Sequence, residues 1–179
     1  TDITLGNSMG ICNIKSGQKS KSLDLLGSEC SGYFPEIVPT TKLLGEYRGI
    51  PVIQALGDNQ ASFLGSVRDK ERSVLLNYGT AGQISFYSKR YENYSGFETR
   101  PLCNEGFIHA AFSLCGGNSY KILAHFFKET TSLFSLGTIS DTIKIMDEMV
   151  LDFSNETIDC MPLFFGQRGR KSDSGYFKN

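Results

Sequence analysis

Apolar positions along this chain come in short runs, each closed by glycine, proline or a charged turn, and the runs set the expected elements. The first 49 residues are rich in Gly, Ser and Lys, with apolar clusters at 23–26 and 34–38 and breaks at Pro35 and Pro39. That pattern predicts loops around one short helix. Residues 50–56 form an apolar run that includes Val52 and Ile53 and is bounded by Gly49 and Gly57, which predicts a buried strand. Pro51 has to lie near its start, because proline cannot donate to a central ladder. Asp58-Asn59-Gln60-Ala61-Ser62-Phe63-Leu64 then opens a helix, with Asp58 suited to the N-cap. Residues 73–78 predict a second strand, 79–82 a tight turn with a glycine at each end, and 83–87 the returning strand of a hairpin.

Farther on, 106–113 reads as a strand, and Gly116-Gly117 precedes a helix over 119–130. Ile122, Leu123, Phe126 and Phe127 recur there at spacings of three and four, which predicts a buried stripe. Thr138-Ile139-Ser140-Asp141 fits a capping signal, and Ile139, Ile143, Met146, Met149 and Val150 the core face of the next helix. A short strand over 161–165 and a polar loop over 166–175 complete the pattern. Alternating strands and helices give an α/β class. The charged stretch Arg68-Asp69-Lys70-Glu71-Arg72 is the expected boundary between two domains, 1–68 and 69–179.

Composition narrows the function classes. With 179 residues, 40% hydrophobic and 21% charged, the chain is globular and can bury a core. A net charge of -1 gives no basic field, so nucleic acid is not an expected partner. No run of about 18 apolar residues is present, so no membrane span is expected. The opening Thr1-Asp2-Ile3-Thr4 has no basic n-region or apolar h-region. It is not a signal peptide and reads as internal sequence. Cys12, Cys30, Cys103, Cys115 and Cys160 are odd in number, scattered and without a CxxC pair, which predicts reduced thiols in a cytoplasmic protein. Two histidines, His109 and His125, are too few for a His-based cage, so no protein metal site is expected.

Two signals carry candidate chemistry. Asp58 stands at a strand-to-helix turn, where ligands bind in open α/β sheets. A carboxylate there can accept the proton of an attacking hydroxyl; a helix cap is the plainer reading. In Asn77-Tyr78-Gly79-Thr80-Ala81-Gly82, glycines at a hairpin tip let backbone amides approach an anion, and the Thr80 hydroxyl adds a donor; an ordinary turn is the plainer reading. No Gly-Lys-Ser/Thr follows, so it is not a Walker A loop. Gly116-Gly117 could hold phosphate at a helix N-terminus or simply allow close packing. Cys115 reads as a buried small hydrophobe, His109 as a satisfied core histidine, and Arg168, Arg170 and Lys171 as a solvated basic cluster.

Together, Ala55-Leu56-Gly57-Asp58-Asn59-Gln60-Ala61-Ser62, Leu75-Leu76-Asn77-Tyr78-Gly79-Thr80-Ala81-Gly82-Gln83, Ala111-Phe112-Ser113-Leu114-Cys115-Gly116-Gly117-Asn118 and Pro162-Leu163-Phe164-Phe165-Gly166-Gln167-Arg168 resemble the FGGY carbohydrate kinases, the sedoheptulokinase branch most closely. Each segment is short; their order and spacing carry the resemblance. Asn7-Ser8-Met9-Gly10-Ile11 and Pro35-Glu36-Ile37-Val38-Pro39 fit the family's approach to its catalytic turn.

The resemblance implies an actin-like ATPase, ribonuclease H-like fold of mixed sheets with flanking helices. Residues 1–68 would end the first, sugar-binding domain and 69–179 would begin the second, ATP-binding one. It implies Asp58 as general base for a sugar hydroxyl, Asn59 beside the sugar, Gly79 and Thr80 at the terminal phosphates of ATP, and Gly116 and Gly117 lining the nucleotide. The implied cofactors are ATP and Mg²⁺. The implied partner is a small-molecule sugar, a ketose such as sedoheptulose or else xylulose or another polyol, with a homodimer as the protein partner to test for. An amino-terminal Asp-x-Gly-Thr phosphate loop and the downstream adenosine loop are absent from the sequence, and Gln167 stands where an acidic residue is usual. The chain alone is therefore expected to be an inactive fragment of an active parent. A non-catalytic nucleotide-binding module of the actin-like superfamily is the competing reading, and it has no need of Asp58. A folding domain alone is a third.

Overall fold

The computed structural model describes residues 1–137, 141–149, 158–167 and 174–178. The chain gathers into two compact units, Thr1–Leu76 with Ile84–Ala111 and Asn77–Gln83 with Phe112–Asn179. Each is described by itself.

The first unit opens with helix α1, Ile3–Ser8, whose N-cap Asp2 accepts a hydrogen bond from the Leu5 amide. Two 3-10 segments, Lys21–Leu26 and Ser28–Tyr33, follow where loops were expected. Strand β1, Leu43–Tyr47, is a further element that the Gly- and Lys-rich start concealed. It pairs antiparallel with β2, Ile50–Ile53, through a two-residue turn in which Arg48 and Gly49 both have positive φ (52° and 78°). Such primed turns match the twist of the flanking strands. The expected strand at 50–56 thus exists, with Pro51 near its start, but it is shorter and not buried. Every β1 and β2 residue is exposed, because a two-stranded ribbon has no second layer against its apolar side chains.

Helix α2, Asp58–Ser66, packs Phe63 into a core with Leu102 and Ile108, flanked by Val67, Leu75 and Tyr87. The Gln60 side-chain amide donates to the Pro101 carbonyl (3.0 Å), fixing the first turn of α2 as well. β3 (Val74–Tyr78), β4 (Gly82–Ser88), β5 (Glu98–Pro101) and β6 (Phe107–Ser113) form one sheet in the order β3-β4-β6-β5. β5, which no apolar run announced, pairs antiparallel with β6 and sets Thr99 opposite His109. His109 is fully buried and hydrogen-bonded at both ring nitrogens, to Ser88 Oγ (2.8 Å) and Thr99 Oγ1 (3.0 Å), the satisfied core histidine expected. Burial pushes its pKa down, against a smaller opposing effect of Glu92.

In the second unit, helix α3 is longer than its expected span, Gly117–Leu133, and buries Ser119 and Ala124. The expected stripe is not buried: Ile122, Phe126 and Phe127 are exposed. Helix α4, Thr142–Met149, behaves alike, with Ile143 and Met149 exposed and Met146 half-buried. Periodicity identifies the face that seeks cover; it does not supply the cover. Asp141 accepts from the Lys144 amide (3.1 Å) and so caps α4; residues 138–140 of the anticipated capping signal, with Ile139 and Val150, lie outside the described residues. The last strands are β7, Asp159–Met161, and β8, Tyr176–Lys178, paired antiparallel. The strand expected at 161–165 is displaced because Pro162 ends it. Arg168, Arg170 and Lys171, with most of the 166–175 loop, lie outside the described residues.

Candidate active site

Asp58 is the first residue of α2 and not its cap. Gly57 holds the N-cap position, its carbonyl accepting the Ala61 amide (2.9 Å). The expected cap role fails because a capping side chain must reach an amide two or three residues on, whereas Asp58 Oδ1 accepts from the adjacent Asn59 amide (2.7 Å). The carboxylate stays exposed, on the first residue of the helix. An ionised carboxylate open to solvent can take a proton from a hydroxyl that reaches it.

Beside it, Asn59 is buried, and among the described residues its side-chain oxygen has no hydrogen-bond partner. A buried acceptor left unpaired costs about 1–3 kcal/mol, and a hydroxyl donated by a ligand would recover that. Gly57 is clamped from two sides. Its N–H donates to Thr4 Oγ1 (2.7 Å), and a Cβ at this position would come 2.5 Å from Gln60 Oε1. Thr4 in turn donates to the buried Asp2 carboxylate (2.8 and 3.0 Å to its two oxygens). Sequence reasoning passed over Asp2, Thr4 and Gln60. Asp2, two residues ahead of a Thr in a helix opening, was a legible cap; the bond spanning 53 residues from Thr4 to Gly57 had no local signal.

The second unit brings Gly79, Thr80, Gly116 and Gly117 together. Residues 77–81 are exposed at the hairpin tip. The first amides of α3 are spent on that tip: Gly117 N–H donates to the Gly79 carbonyl (2.9 Å) and Asn118 N–H to that of Thr80 (3.2 Å). A Cβ at Gly116 would stand 2.8 Å from the Gly79 oxygen and 3.0 Å from the Ala81 carbonyl carbon. Of the two readings left open for Gly116-Gly117, close packing is the one with contacts behind it. Gly79 differs, since among the described residues a Cβ there would meet nothing within 4 Å, which leaves room for a phosphate at the tip. Cys115 is buried, its thiol 3.8 Å from the Gly166 carbonyl oxygen, a small hydrophobe as expected. Ser119 Oγ donates to the Pro162 carbonyl (2.7 Å), tying α3 to the segment after β7.

Among the described residues, no group of three or more His, Cys, Asp or Glu side chains converges on a metal position. No helix among the described residues is long and apolar enough to cross a membrane.

No protein-family model matches the sequence, and no curated protein matches it. Solved structures do match. Xylulose kinase from Rhodospirillum rubrum is similar over 100% of this chain at a TM-score of 0.75 and 20% identity. Gluconate kinase from Lactobacillus acidophilus is similar over 100% at 0.79 and 18%. Plasmodium falciparum glycerol kinase with ADP is similar over 100% at 0.71 and 17%. The chain spans only 38%, 38% and 37% of those proteins' lengths. At these identities the likeness speaks for the fold: the chain has the α/β architecture of sugar kinases of the actin-like ATPase fold, as the sequence predicted.

Proposed function

We propose that this chain is part of an ATP-dependent carbohydrate kinase in which Asp58 removes the proton from a sugar hydroxyl as its oxygen attacks the terminal phosphate of ATP. The observation that carries the reading is the exposed Asp58 carboxylate next to the orphaned acceptor of Asn59, at the start of α2, in a chain that follows sugar kinases from end to end. Asn59 orients the sugar through that acceptor. Gly79 and Thr80, exposed at the hairpin tip, receive the terminal phosphates. Gly116 and Gly117 serve the nucleotide indirectly, by holding the tip against α3. ATP supplies the phosphoryl group, and Mg²⁺ neutralises its charge. Phosphoryl transfer asks mainly for positioning and charge stabilisation; in this reading Asp58 serves the hydroxyl and the hairpin tip the phosphates.

In this reading residues 1–68 belong to the sugar-binding domain and 69–179 open the nucleotide domain. The substrate is a ketose, with sedoheptulose first and xylulose next. The working compartment is a reducing cytoplasm, in keeping with five free cysteines. The neighbours are more than twice as long as this chain, so turnover belongs to the full-length protein and the 179 residues alone are inactive.

The test is an ADP-release screen of the full-length protein against ketoses, polyols and glycerol, with Asp58→Asn beside it. A general base contributes about 10²–10⁴-fold, so Asp58→Asn lowers kcat by that factor and leaves ATP affinity unchanged. Undiminished turnover in Asp58→Asn defeats the proposal. ATP binding without phosphorylation of any sugar favours the nucleotide-binding module instead.

A further inference from the structure

We propose that Thr4, locked by the buried carboxylate of Asp2, is a positioning residue that sets the direction of the Asp58 carboxylate through the Gly57 amide. The inference rests on the reading of Asp58 as the base.

The argument begins with donor and acceptor capacity. Asp2 and Thr4 are completely buried. A carboxylate only accepts hydrogen bonds, and Asp2 receives three donors: the Leu5 amide at Oδ1 (2.9 Å), the Thr40 hydroxyl at Oδ2 (2.8 Å) and the Thr4 hydroxyl (2.8 Å to Oδ1). The single proton of Thr4 is therefore committed to Asp2. What remains on Thr4 Oγ1 is lone-pair density, and the Gly57 N–H points into it at 2.7 Å. The direction of every bond in the chain from Asp2 to Gly57 is thus fixed by chemistry. No tautomer or rotor choice is left.

The target of this chain is the N-cap of α2. That helix has no side-chain cap of its own, and helix ends without one need an outside partner. The backbone of Gly57 decides where the first turn begins, and Asp58 is the next residue. Thr4 holds Gly57 on one side, and Gln60, itself anchored on Pro101, fills the other. A base on the first helical residue inherits any rotation of its cap. Displacement of a reacting group by about 1 Å can cost about 10²-fold in rate.

The experiment measures kcat and KM in the full-length protein for Thr4→Val, Thr4→Ser, Asp58→Asn and, as a purely structural control, Ile108→Val. The expected result is a fall in kcat of about 10–10²-fold for Thr4→Val with KM for the sugar nearly unchanged. Thr4→Ser recovers most of the lost turnover, because the hydroxyl is kept. Ile108→Val lowers the melting temperature without lowering kcat. If Asp58→Asn abolishes turnover while Thr4→Val loses only thermal stability, as Ile108→Val does, the positioning role is wrong and the base assignment stands. If Asp58→Asn leaves turnover intact, the base assignment itself is wrong and this inference goes with it. Should Thr4→Val fail to fold, Thr40→Val decides. It removes one of the three donors to Asp2 while leaving Thr4 in place, and is expected to lower kcat severalfold at constant KM; an unchanged kcat overturns the proposal.

Discussion

Replacing Gly116 by alanine tests whether this glycine is required by packing. The added methyl would lie 2.8 Å from the Gly79 carbonyl oxygen and 3.0 and 3.2 Å from the carbonyl carbon and Cα of Ala81. All three obstacles are backbone, so no rotamer change relieves them and the hairpin tip has to move off α3. Overpacking of this kind costs about 1–3 kcal/mol. The movement also stretches the bonds from Gly117 N–H to the Gly79 carbonyl and from Asn118 N–H to the Thr80 carbonyl, and losing one of them adds about 1 kcal/mol. The expected destabilisation is about 2–4 kcal/mol. It would be read from denaturant midpoints at constant m-value and from faster amide exchange over 115–120. Gly79→Ala is the matched control: with nothing within 4 Å of its Cβ among the described residues, it should stay within about 0.5 kcal/mol of wild type, while weakening ATP binding if the tip receives phosphate. The reasoning is refuted if Gly116→Ala proves no more disruptive than Gly79→Ala.

Other consequences are as direct. Phe63→Ala empties the centre of the α2 core and should lower stability by about 3–5 kcal/mol in denaturant unfolding. Gly49→Ala forces a side chain onto a φ of 78° in the β1–β2 turn and should cost about 1–2 kcal/mol; an unchanged hairpin in amide exchange would argue against the primed turn. His109 makes stability depend on pH. Burial holds its folded-state pKa below the unfolded value of about 6.5, so the unfolded chain takes up the proton first as pH falls. Its stabilisation is complete above about pH 6.5 and is lost progressively down to the folded-state pKa. His109→Gln should flatten that slope in denaturant midpoints measured across the window.

Local chemistry makes several elements legible in the sequence. Glycines at 79 and 82 between two β-rich runs predicted a hairpin, and the run after Gly57 a helix; β3, β4 and α2 stand where those signals put them. His109 and Cys115 were readable as core residues because each sits in an apolar run without a chemical partner nearby in sequence. Part of the candidate site was visible for the same reason: a carboxylate at a strand-to-helix break and glycines at a turn are signals that extend over a few residues.

What tertiary structure alone decided are properties of pairs distant in sequence. The apolar faces of β2, α3 and α4 were visible in the pattern, but exposure depends on whether another surface covers them, and on most of their large apolar side chains none does. Asp58 looked like a cap because its type suits one, yet the cap fell to Gly57, held by a hydroxyl 53 residues earlier. For Gly116 the sequence left phosphate contact and close packing both open, and the Gly79 carbonyl standing where a side chain would be supplies the packing contact. Propensity and periodicity act over a turn or two of chain, so the sequence determined the elements and the residue types at the site. Which atom faces which is set only when the chain folds back on itself, and that decided the positions of Asp58 and Gly116.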